Sequence, residues 1–326
     1  MHRVSITAPS RLHFGLWSLA GSSGRQFGGV GVMVDQPGLH LVISPAATLS
    51  ATGPLAARAL EFARRWAAFH QLPEPQCTME ILSAPPDHIG LGTGTQLALA
   101  VAAGLCELHD LEVESPQTLA ASVGRGLRSA VGTYGFLYGG LIVEPGKLPE
   151  EPISPIDFRL DLPAEWRFVL ARPLGVGGLA GEDEAAAIGG LPAVPPAVTD
   201  ELVALSDDQL LPATVTGDFS AFADCTYRYG RLAGEIFAAR QGGAYNGPVL
   251  AALVQRIRDL GFAGVGQSSW GPTVFAACPS PGEAERLSAA LQTSMTAGSL
   301  HTLIASPCRN GAHIQRLALG EQAPAR

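Results

Sequence analysis

Lysine is almost absent from this sequence. Of the 21 Lys and Arg side chains in its 326 residues, Lys147 is the single lysine and the others are arginines. Lys147 follows Pro145-Gly146 without a glycine-rich run before it, which excludes a phosphate loop of the Gly-Lys-Ser/Thr type. The same scarcity argues against a Schiff-base lysine and against the strand lysine of protein kinases. Any anion that binds here must be held by arginines, backbone N–H groups or a metal ion.

Several other signals are missing too. The net charge of −8 gives nucleic-acid binding no electrostatic support. No apolar run is long enough to span a bilayer, and the first residues lack the apolar stretch of a signal peptide. The five cysteines form no C-x-x-C pair, as is typical of buried thiols in a reducing compartment, and no H-E-x-x-H motif occurs. We therefore expect a cytoplasmic protein with no nucleic-acid or membrane partner.

What is present is a globular composition, 47% hydrophobic, arranged in two units. The first unit is predicted to contain a strand from Val4 that ends at Pro9, strands at 39–43, 77–82 and 136–143, and helices at 55–70 and 97–108. Five prolines within 145–164 indicate a boundary. The second unit is predicted to be a two-layer α+β arrangement with helices at 218–241, 247–260 and 283–295 and strands at 166–171, 274–278, 299–305 and 312–319. We therefore assign domains to residues 1–160 and 161–326.

A glycine-rich loop follows the strand at 77–82 and opens the next helix. It reads Pro85-Pro86-Asp87-His88-Ile89-Gly90-Leu91-Gly92-Thr93-Gly94-Thr95-Gln96. Glycines bring backbone N–H groups close to a ligand, and the helix N-terminus favours a phosphate or pyrophosphate. The loop lacks the G-x-G-x-x-G spacing of a dinucleotide site. The interleaved hydroxyls favour an anion site over a plain helix start.

Together with two other segments, this loop resembles the GHMP superfamily of galactokinase, homoserine kinase and mevalonate kinase. Pro86-x-x-x-Gly90-Leu91-Gly92 matches its phosphate loop, residues 8–16 are placed like its first motif, and residues 264–273 are placed like its late glycine-rich motif. The resemblance covers nearly the whole chain. It implies a GHMP-kinase-like two-domain α+β fold, with an N-terminal ribosomal-protein-like αβ domain that has a left-handed crossover and a C-terminal ferredoxin-like α/β sandwich.

One branch of the superfamily fits better than the kinases. The stretches 11–16, 90–96, 124–140, 172–182 and 266–272 are similar to beta-ribofuranosylaminobenzene 5'-phosphate synthase. That resemblance implies a cytoplasmic, homodimeric pentosyltransferase of tetrahydromethanopterin biosynthesis. It would condense 4-aminobenzoate with phosphoribosyl pyrophosphate and release CO2 and diphosphate. The sequence does not distinguish 4-aminobenzoate from 4-hydroxybenzoate.

The sequence also departs from the superfamily pattern. Thr93-Gly94-Thr95 replaces the usual Ser-Ser-Ala, and Ala180 replaces the serine of the branch's Gly-Leu-Ser-Gly-like stretch. The region where many GHMP kinases carry a catalytic Asp reads Arg128-Ser129-Ala130-Val131-Gly132, without an acid. This absence weighs against the second reading, an ATP-dependent GHMP small-molecule kinase. A non-catalytic GHMP-fold binding protein is the third.

The synthase reaction requires groups that hold two anionic substrates. We assign the diphosphate, with Mg²⁺, to the loop residues Gly90, Leu91, Gly92, Thr93, Gly94, Thr95 and Gln96. Arginine suits carboxylates and phosphates because its donors are forked, so Arg11 and Arg128 are assigned to catalysis and Arg125 to phosphate binding. Arg125 and Arg128 are spaced to share one face of a helix. Alternatively, that face is exposed to solvent and the two arginines have no binding role. Arg25 is a further candidate.

Other residues have two readings each. His13 is a catalytic acid–base group or a buried core histidine. Asp35 binds a metal ion or ribose, or caps a turn. Glu182 is a metal ligand or part of an acidic helix start. Ser268 and Ser269 would contact substrate through the late glycine motif. Trp270 either stacks on the benzoate or belongs to the core.

Overall fold

The computed structural model describes residues 2–19, 24–178, 186–294 and 298–321. Its strands are β1 (Arg3–Leu16), β2 (Gly29–Pro45), β3 (Ser50–Thr52), β4 (Cys77–Ser83), β5 (Leu141–Glu144), β6 (Phe158–Leu160), β7 (Arg167–Pro173), β8 (Val265–Gln267), β9 (Val274–Cys278), β10 (Leu300–Ala305) and β11 (His313–Leu317). Its helices are α1 (Ala56–Phe69), α2 (Thr93–Leu108), α3 (Pro116–Ser122), α4 (Val131–Tyr138), α5 (Pro196–Leu205), α6 (Leu211–Thr216), α7 (Phe219–Glu235), α8 (Ala238–Gln241), α9 (Gly247–Asp259) and α10 (Pro281–Ser294). A π-helical segment, Ser206–Leu210, joins α5 to α6.

The first sheet is built around the long strand β2. Strand β1 pairs with β2 in antiparallel register along most of its length, β4 pairs with its C-terminal part, and β5 pairs with its N-terminal part. The short strands β3 and β6 add to β4 and β5. Helices α1 and α2 cover one face and bury a core that includes Phe62, Trp66 and Leu97. The predicted helices at 55–70 and 97–108 are confirmed, with α2 beginning earlier, at Thr93.

Strand β1 does not end at Pro9, contrary to the prediction. It continues to Leu16, and its register with β2 shifts between Ala8 and Ser10 and again between His13 and Gly15. The first irregularity accommodates the proline, which cannot donate a ladder hydrogen bond. The two shifts enclose Arg11 and His13, so the segment that carries them is set off from the regular pleat on both sides.

The predicted strand at 136–143 was also wrong in its first part. Residues up to Tyr138 form α4, and a turn at Gly139 and Gly140, both with positive φ, leads into β5 at Leu141. A short apolar run does not distinguish a strand from a buried helix by periodicity. Most of α4 is buried, so it carries no amphipathic signature.

The second sheet has the order β10-β7-β9-β8 and is antiparallel throughout. Alternate residues of β7 point to opposite faces: Val169 packs with α9 and α10, whereas Phe168 packs with α5, α7 and β1. Both faces are therefore covered, where the sequence predicted two layers. The rings of Phe14 in β1 and Phe275 in β9 stack 5.1 Å apart and join the two halves.

The last strand crosses back to the first half of the chain. β11 pairs with β1 from Arg3↔Leu317 to Thr7↔His313, and so belongs to the first sheet and not to the second. It shields the outer edge of β1, which would otherwise expose unpaired backbone groups. The domain boundary at residue 160 stays a prediction.

Two other features bear on the expectations from composition. All five cysteines are free thiols, and Cys77, Cys106, Cys225 and Cys278 are buried. Among the residues that the structure describes, no helix combines the length and the apolar character needed to cross a membrane.

Gly31 in β2 tests the packing of the first sheet. A Cβ there would lie 2.6 Å from the carbonyl oxygen of Leu12 and 2.8 Å from Val131, so we expect Gly31→Ala to lower the free energy of unfolding by about 1–3 kcal/mol. Urea denaturation measures this. Gly282→Ala is the control, because a Cβ at Gly282 meets no atom within 4 Å. Equal stability of the two variants would contradict the packing described.

Candidate active site

A cavity of about 640 Å³ lies between the two halves, at the N-terminus of α2. Its walls come from β1, α1, the glycine loop, the loop 124–129, α7 and the segment 267–270. The charged side chains that line the described cavity are Arg11, Arg58, Arg65, Arg125 and Arg128, with Glu61 and Asp87. Since the chain as a whole carries a charge of −8, the cavity is a locally positive region of an acidic protein, which favours anionic ligands.

The glycine loop forms one wall and begins α2. Gly90 and Gly92 have φ values of +81° and +71°, a backbone conformation that residues with side chains rarely adopt. The N–H of Thr95 makes the first hydrogen bond of α2, 2.9 Å from the carbonyl oxygen of Gly92. The amides of Thr93 and Gly94 precede the hydrogen-bonded part of the helix, so they can donate to an anion at the positive end of the helix dipole.

The loop is fastened to β1 by backbone groups and one serine. The N–H of Arg11 donates to the carbonyl oxygen of Leu91 at 3.0 Å. The N–H of His13 donates to Ser268 Oγ at 3.0 Å, and that hydroxyl donates to the carbonyl oxygen of Gly90 at 2.7 Å. Ser268 is fully buried. It holds the loop in place and does not line the cavity, where the sequence predicted a substrate contact.

A series of hydrogen bonds runs from His13, which lines the cavity, to Glu144, which is buried behind it. The N–H of Gly15 donates to His13 Nδ1 at 3.2 Å, so Nδ1 is the acceptor and Nε2 carries the proton. Nε2–H donates to Ser129 Oγ at 3.1 Å, and Ser129 donates to Glu144 Oε1 at 2.5 Å. Glu144 Oε2 accepts the N–H of Ala130 at 2.7 Å. The carboxylate thereby fixes the turn that leads from Arg128 into α4.

Burial disfavours the charged forms of His13 and Glu144, the two residues at the ends of this series of hydrogen bonds. Burial, and secondarily the nearby Arg11, lowers the pKa of His13 well below its ordinary value. Burial raises the pKa of Glu144 to about 7, against the opposing effect of the hydrogen bonds from Ser129 and Ala130. His13 is therefore neutral with both ring nitrogens engaged inside the protein. Its geometry favours a positioning role, and the predicted acid–base role stays a prediction.

The second half of the chain contributes most of an apolar wall of the cavity. It includes Leu16, Ile188, Ala233, Phe237 and Trp270. The rings of Phe237 and Trp270 meet edge to face with centroids 4.9 Å apart. Trp270 is 5% exposed and belongs to a local apolar cluster, so it is a core residue that also borders the cavity. Its stacking on a benzoate stays a prediction. The cavity thus combines a cationic wall with a wall suited to a flat apolar group.

Most of the predicted site residues meet at this cavity. Those that line it are Arg11, His13, Gly90, Leu91, Gly92, Thr93, Gly94, Thr95, Arg125, Arg128 and Ser269. Gln96 does not: it is buried beneath the loop, and its Nε2 donates to the carbonyl oxygen of Gly132 at 3.0 Å. Arg25 also lies elsewhere, in a two-pronged ion pair with Glu151 at 2.7 and 3.0 Å.

The predicted metal ligands gain no support from the geometry. Asp35 Oδ1 accepts the N–H of Ser306 at 2.8 Å and holds the chain after β10 to β2, outside the cavity. Glu182 lies outside the described residues. Within the described ranges, no group of three His, Cys, Asp or Glu side chains is placed to hold a metal ion.

The predicted helix that Arg125 and Arg128 would share is absent. Both lie in the loop between α3 and α4, where Gly124 and Gly126 have φ values of +66° and +79°. These glycines interrupt helical geometry at the positions that the i, i+3 spacing would need. The two arginines nevertheless reach the same cavity.

Sequence reasoning missed Arg58, Arg65, Ser129 and Glu144. The first two carry a usable signal, because Arg58, Phe62 and Arg65 recur at helical spacing on α1. That this face overlooks the glycine loop depends on how α1 packs, which periodicity does not give. Glu144 sits in a strand of apolar residues, where an acid is an exception that invites a search for its partners.

Two family descriptions match the chain. GHMP kinases N terminal domain matches residues 54–140, and GHMP kinases C terminal matches residues 210–297. The solved structures that resemble the fold include homoserine kinase from Cytophaga hutchinsonii, with TM-score 0.70, 16% identity, and coverage of 96% of this chain and 97% of that one. Another is mevalonate pyrophosphate decarboxylase from Streptococcus pyogenes, with TM-score 0.68, 12% identity, and coverage of 94% and 97%. These likenesses confirm the predicted GHMP fold.

Curated relatives are more similar in sequence. The beta-ribofuranosylphenol 5'-phosphate synthase of Archaeoglobus fulgidus is 32% identical over 286 residues, 84% of this chain and 87% of the relative. The protein of the same name from Methanothermobacter thermautotrophicus is 30% identical over 292 residues, 83% of this chain and 87% of the relative.

The raised pKa of Glu144 predicts a pH dependence of stability. Because its folded-state pKa of about 7 exceeds the ordinary 4.5, its contribution to stability is complete below pH 4.5 and is lost as the pH rises through 7. We expect Glu144→Gln to remove this decline. Urea unfolding from pH 5 to pH 8 measures it, with the exposed Glu165→Gln as control. Parallel pH profiles for wild type and Glu144→Gln would contradict the buried position of the carboxyl.

Proposed function

Since the chain belongs to the beta-ribofuranosylphenol 5'-phosphate synthase family, pentosyltransferases on the GHMP kinase fold, we propose that it transfers a 5-phosphoribosyl group to a para-substituted benzoate. The donor is phosphoribosyl pyrophosphate, and the products include CO2 and diphosphate. One observation carries the proposal: a single cavity joins a helix N-terminus and five arginines to an apolar aromatic wall. These are the two surfaces that a phosphorylated donor and a benzoate require.

The reaction exchanges one bond at ribose C1 for another. The C1–O bond breaks, and diphosphate leaves with the electron pair as C1 gains oxocarbenium character. The ring carbon that bears the carboxylate forms a bond to C1, helped by electron donation from the para substituent. The bond to the carboxyl group then breaks, CO2 leaves, and the electron pair restores the aromatic ring. No step requires a lysine, in keeping with the composition.

The protein's part is to stabilise the charge that develops on the leaving diphosphate. The amides of Thr93 and Gly94 and the guanidinium of Arg11 are the groups we assign to it, because the Arg11 side chain lies against Gly92. Preorganised donors of this kind are effective because they need little reorientation as charge builds up.

The acceptor would occupy the apolar wall. The edge of Trp270 and the ring of Phe237 provide a surface for a flat benzoate, whose carboxylate would point towards the arginines. This arrangement holds the ring carbon near C1 and keeps water from the oxocarbenium-like carbon.

Mg²⁺ is compatible with this site as a companion of the diphosphate. Hard oxygen donors suit it, and the carboxylates of the described cavity are those of Glu61 and Asp87. When bound, the ion would neutralise diphosphate charge alongside the arginines. Asp87 is also ion-paired with Arg58, so most ligands of the ion would be diphosphate oxygens and water.

The kinase interpretation lacks an acid in the stretch 128–132, where many GHMP kinases carry a catalytic Asp. The acids that line the described cavity are Glu61 and Asp87, and the latter is engaged by Arg58. Glu144 lies behind the wall and accepts hydrogen bonds from Ser129 and Ala130. The resemblance to solved kinase structures, at 12–19% identity, concerns the fold alone.

The identity of the para substituent distinguishes two acceptors, 4-aminobenzoate and 4-hydroxybenzoate. We propose 4-aminobenzoate, which the family resemblance implies, while the relatives' names contain a phenol, the product that 4-hydroxybenzoate would give by the same steps. A homodimer, a cytoplasmic location and a place in tetrahydromethanopterin biosynthesis stay predictions.

The decisive assay is release of carboxyl-labelled CO2. Purified protein with phosphoribosyl pyrophosphate, Mg²⁺ and either benzoate should release CO2 and diphosphate in equal amounts. Each turnover breaks one C1–O bond, which releases diphosphate, and one bond between the ring and the carboxyl group, which releases CO2. The ratio of kcat/KM for the two benzoates then identifies the acceptor. ATP consumption with an alcohol or sugar, without CO2 release, would overturn the proposal.

Arg11 is expected to be needed for turnover. Arg11→Ala removes a charged donor beside the glycine loop and should lower kcat/KM by about 10²–10³-fold. Arg25→Ala is a matched control, since Arg25 is paired with Glu151 outside the cavity. Steady-state kinetics on both variants, with circular dichroism to check folding, measures this. Undiminished turnover in Arg11→Ala would remove Arg11 from the site.

A further inference from the structure

The arginines of α1 line the cavity, but no individual role has been assigned to them in the steps above. Arg58, Glu61, Phe62 and Arg65 face the cavity at the i, i+3, i+4, i+7 spacing of one helix face. The opposite face, with Ala63 and others, packs into the first core. A diphosphate on the glycine loop accounts for Arg11 and leaves these α1 cations unexplained.

Arg125 reaches the same place from a separate, rigid loop. Its N–H donates to the carbonyl oxygen of Ala120 at 2.8 Å, and the glycines on both sides hold positive φ. The Arg125 guanidinium carbon lies 4.9 Å from the centroid of the Phe62 ring, and that of Arg58 lies 5.7 Å from the same centroid. The Phe62 ring is thus in cation–π contact with two guanidinium groups, one from α1 and one from the loop between α3 and α4.

The cations at this point outnumber their counter-charges. Burial, and after it Arg58 and Arg65, lowers the pKa of Arg125 to about 10, with Asp87 acting in the opposite direction. Asp87 is itself ion-paired with Arg58. Within the described part of the chain, Arg125 Nε is buried and has no hydrogen-bond partner. Bringing guanidinium groups together in a partly buried place is unfavourable because they repel one another and lose solvation. Their grouping here indicates a binding place for a dianion.

We propose that Arg58, Arg65 and Arg125 form a subsite for a phosphomonoester, distinct from the glycine loop. Given the proposed function, its ligand is the ribose 5-phosphate end of the donor, while the loop takes the diphosphate end. Arg58 connects the two, because a Cβ at Gly94 would clash with its guanidinium group. A donor that spans both places would have both of its charged ends fixed, which orients ribose C1 towards the acceptor.

Ribose 5-phosphate and inorganic diphosphate are the probes that separate the two places. Isothermal titration calorimetry should show ribose 5-phosphate binding to Arg65→Met and Arg125→Met weakened by about 10-fold or more, because each variant loses a charged donor. Methionine retains much of the apolar stem. Diphosphate binding should instead be weakened most by Arg11→Met.

Arg64→Met is the matched control. Arg64 neighbours Arg65 on α1 but pairs with Glu74 at 2.8 Å, outside the cavity, so ribose 5-phosphate binding should be unchanged. Arg65 is exposed, so its variant tests the proposal even if Arg125→Met fails to fold.

The outcomes separate this subsite from the reaction. If CO2 is released but Arg65→Met and Arg125→Met bind ribose 5-phosphate as Arg64→Met does, the subsite is wrong and the synthase reading stands. If they lose 4-aminobenzoate binding instead, the arginines hold the carboxylate and the proposal is overturned. Arginine-dependent binding of ribose 5-phosphate without CO2 release would support the subsite and refute the synthase reading.

Discussion

The packing of the second half of β1 between the two sheets is the contact on which the site depends. Phe14 stacks on Phe275 of the second sheet, while the backbone beside it pairs with β2 of the first. From this one segment, Arg11 and His13 fasten the glycine loop through backbone hydrogen bonds and Ser268. The glycine loop is therefore placed by a strand that neither half could position alone.

The titratable groups of the site differ in their exposure to solvent and in the charge that they favour. The arginines border the cavity, where an anionic ligand can compensate their charge, whereas His13 and Glu144 are buried and shifted towards their neutral forms. The hydrogen bonds of this buried pair stabilise the turn from Ser129 into α4. A family that shares its fold with kinases can in this way support a reaction that needs positive charge more than it needs a base.

Motifs predicted more of this molecule than periodicity did. The glycine loop was found from its own residues, the segment that carries Arg11 and the late glycine segment were found through the family resemblance, and all three reach one cavity. Arg58 and Arg65 were missed because their role depends on the packing of α1. The strand predicted at 136–143 and the turn at Pro9 failed because local patterns were overridden by burial and by a bulge. The metal role of Asp35 stays a prediction, and the hydrogen bond that its Oδ1 accepts from the N–H of the distant Ser306 shows a structural role that local sequence did not indicate.

The return of β11 to the edge of β1 has a consequence for biosynthesis. Arg3 pairs with Leu317, so this edge of the first sheet is closed only after β11 has left the ribosome. Until then, a nascent chain would present one open ladder of backbone donors and acceptors along β1. The β1–β11 ladder joins residues that lie far apart in sequence, and such long-range strand pairs form slowly.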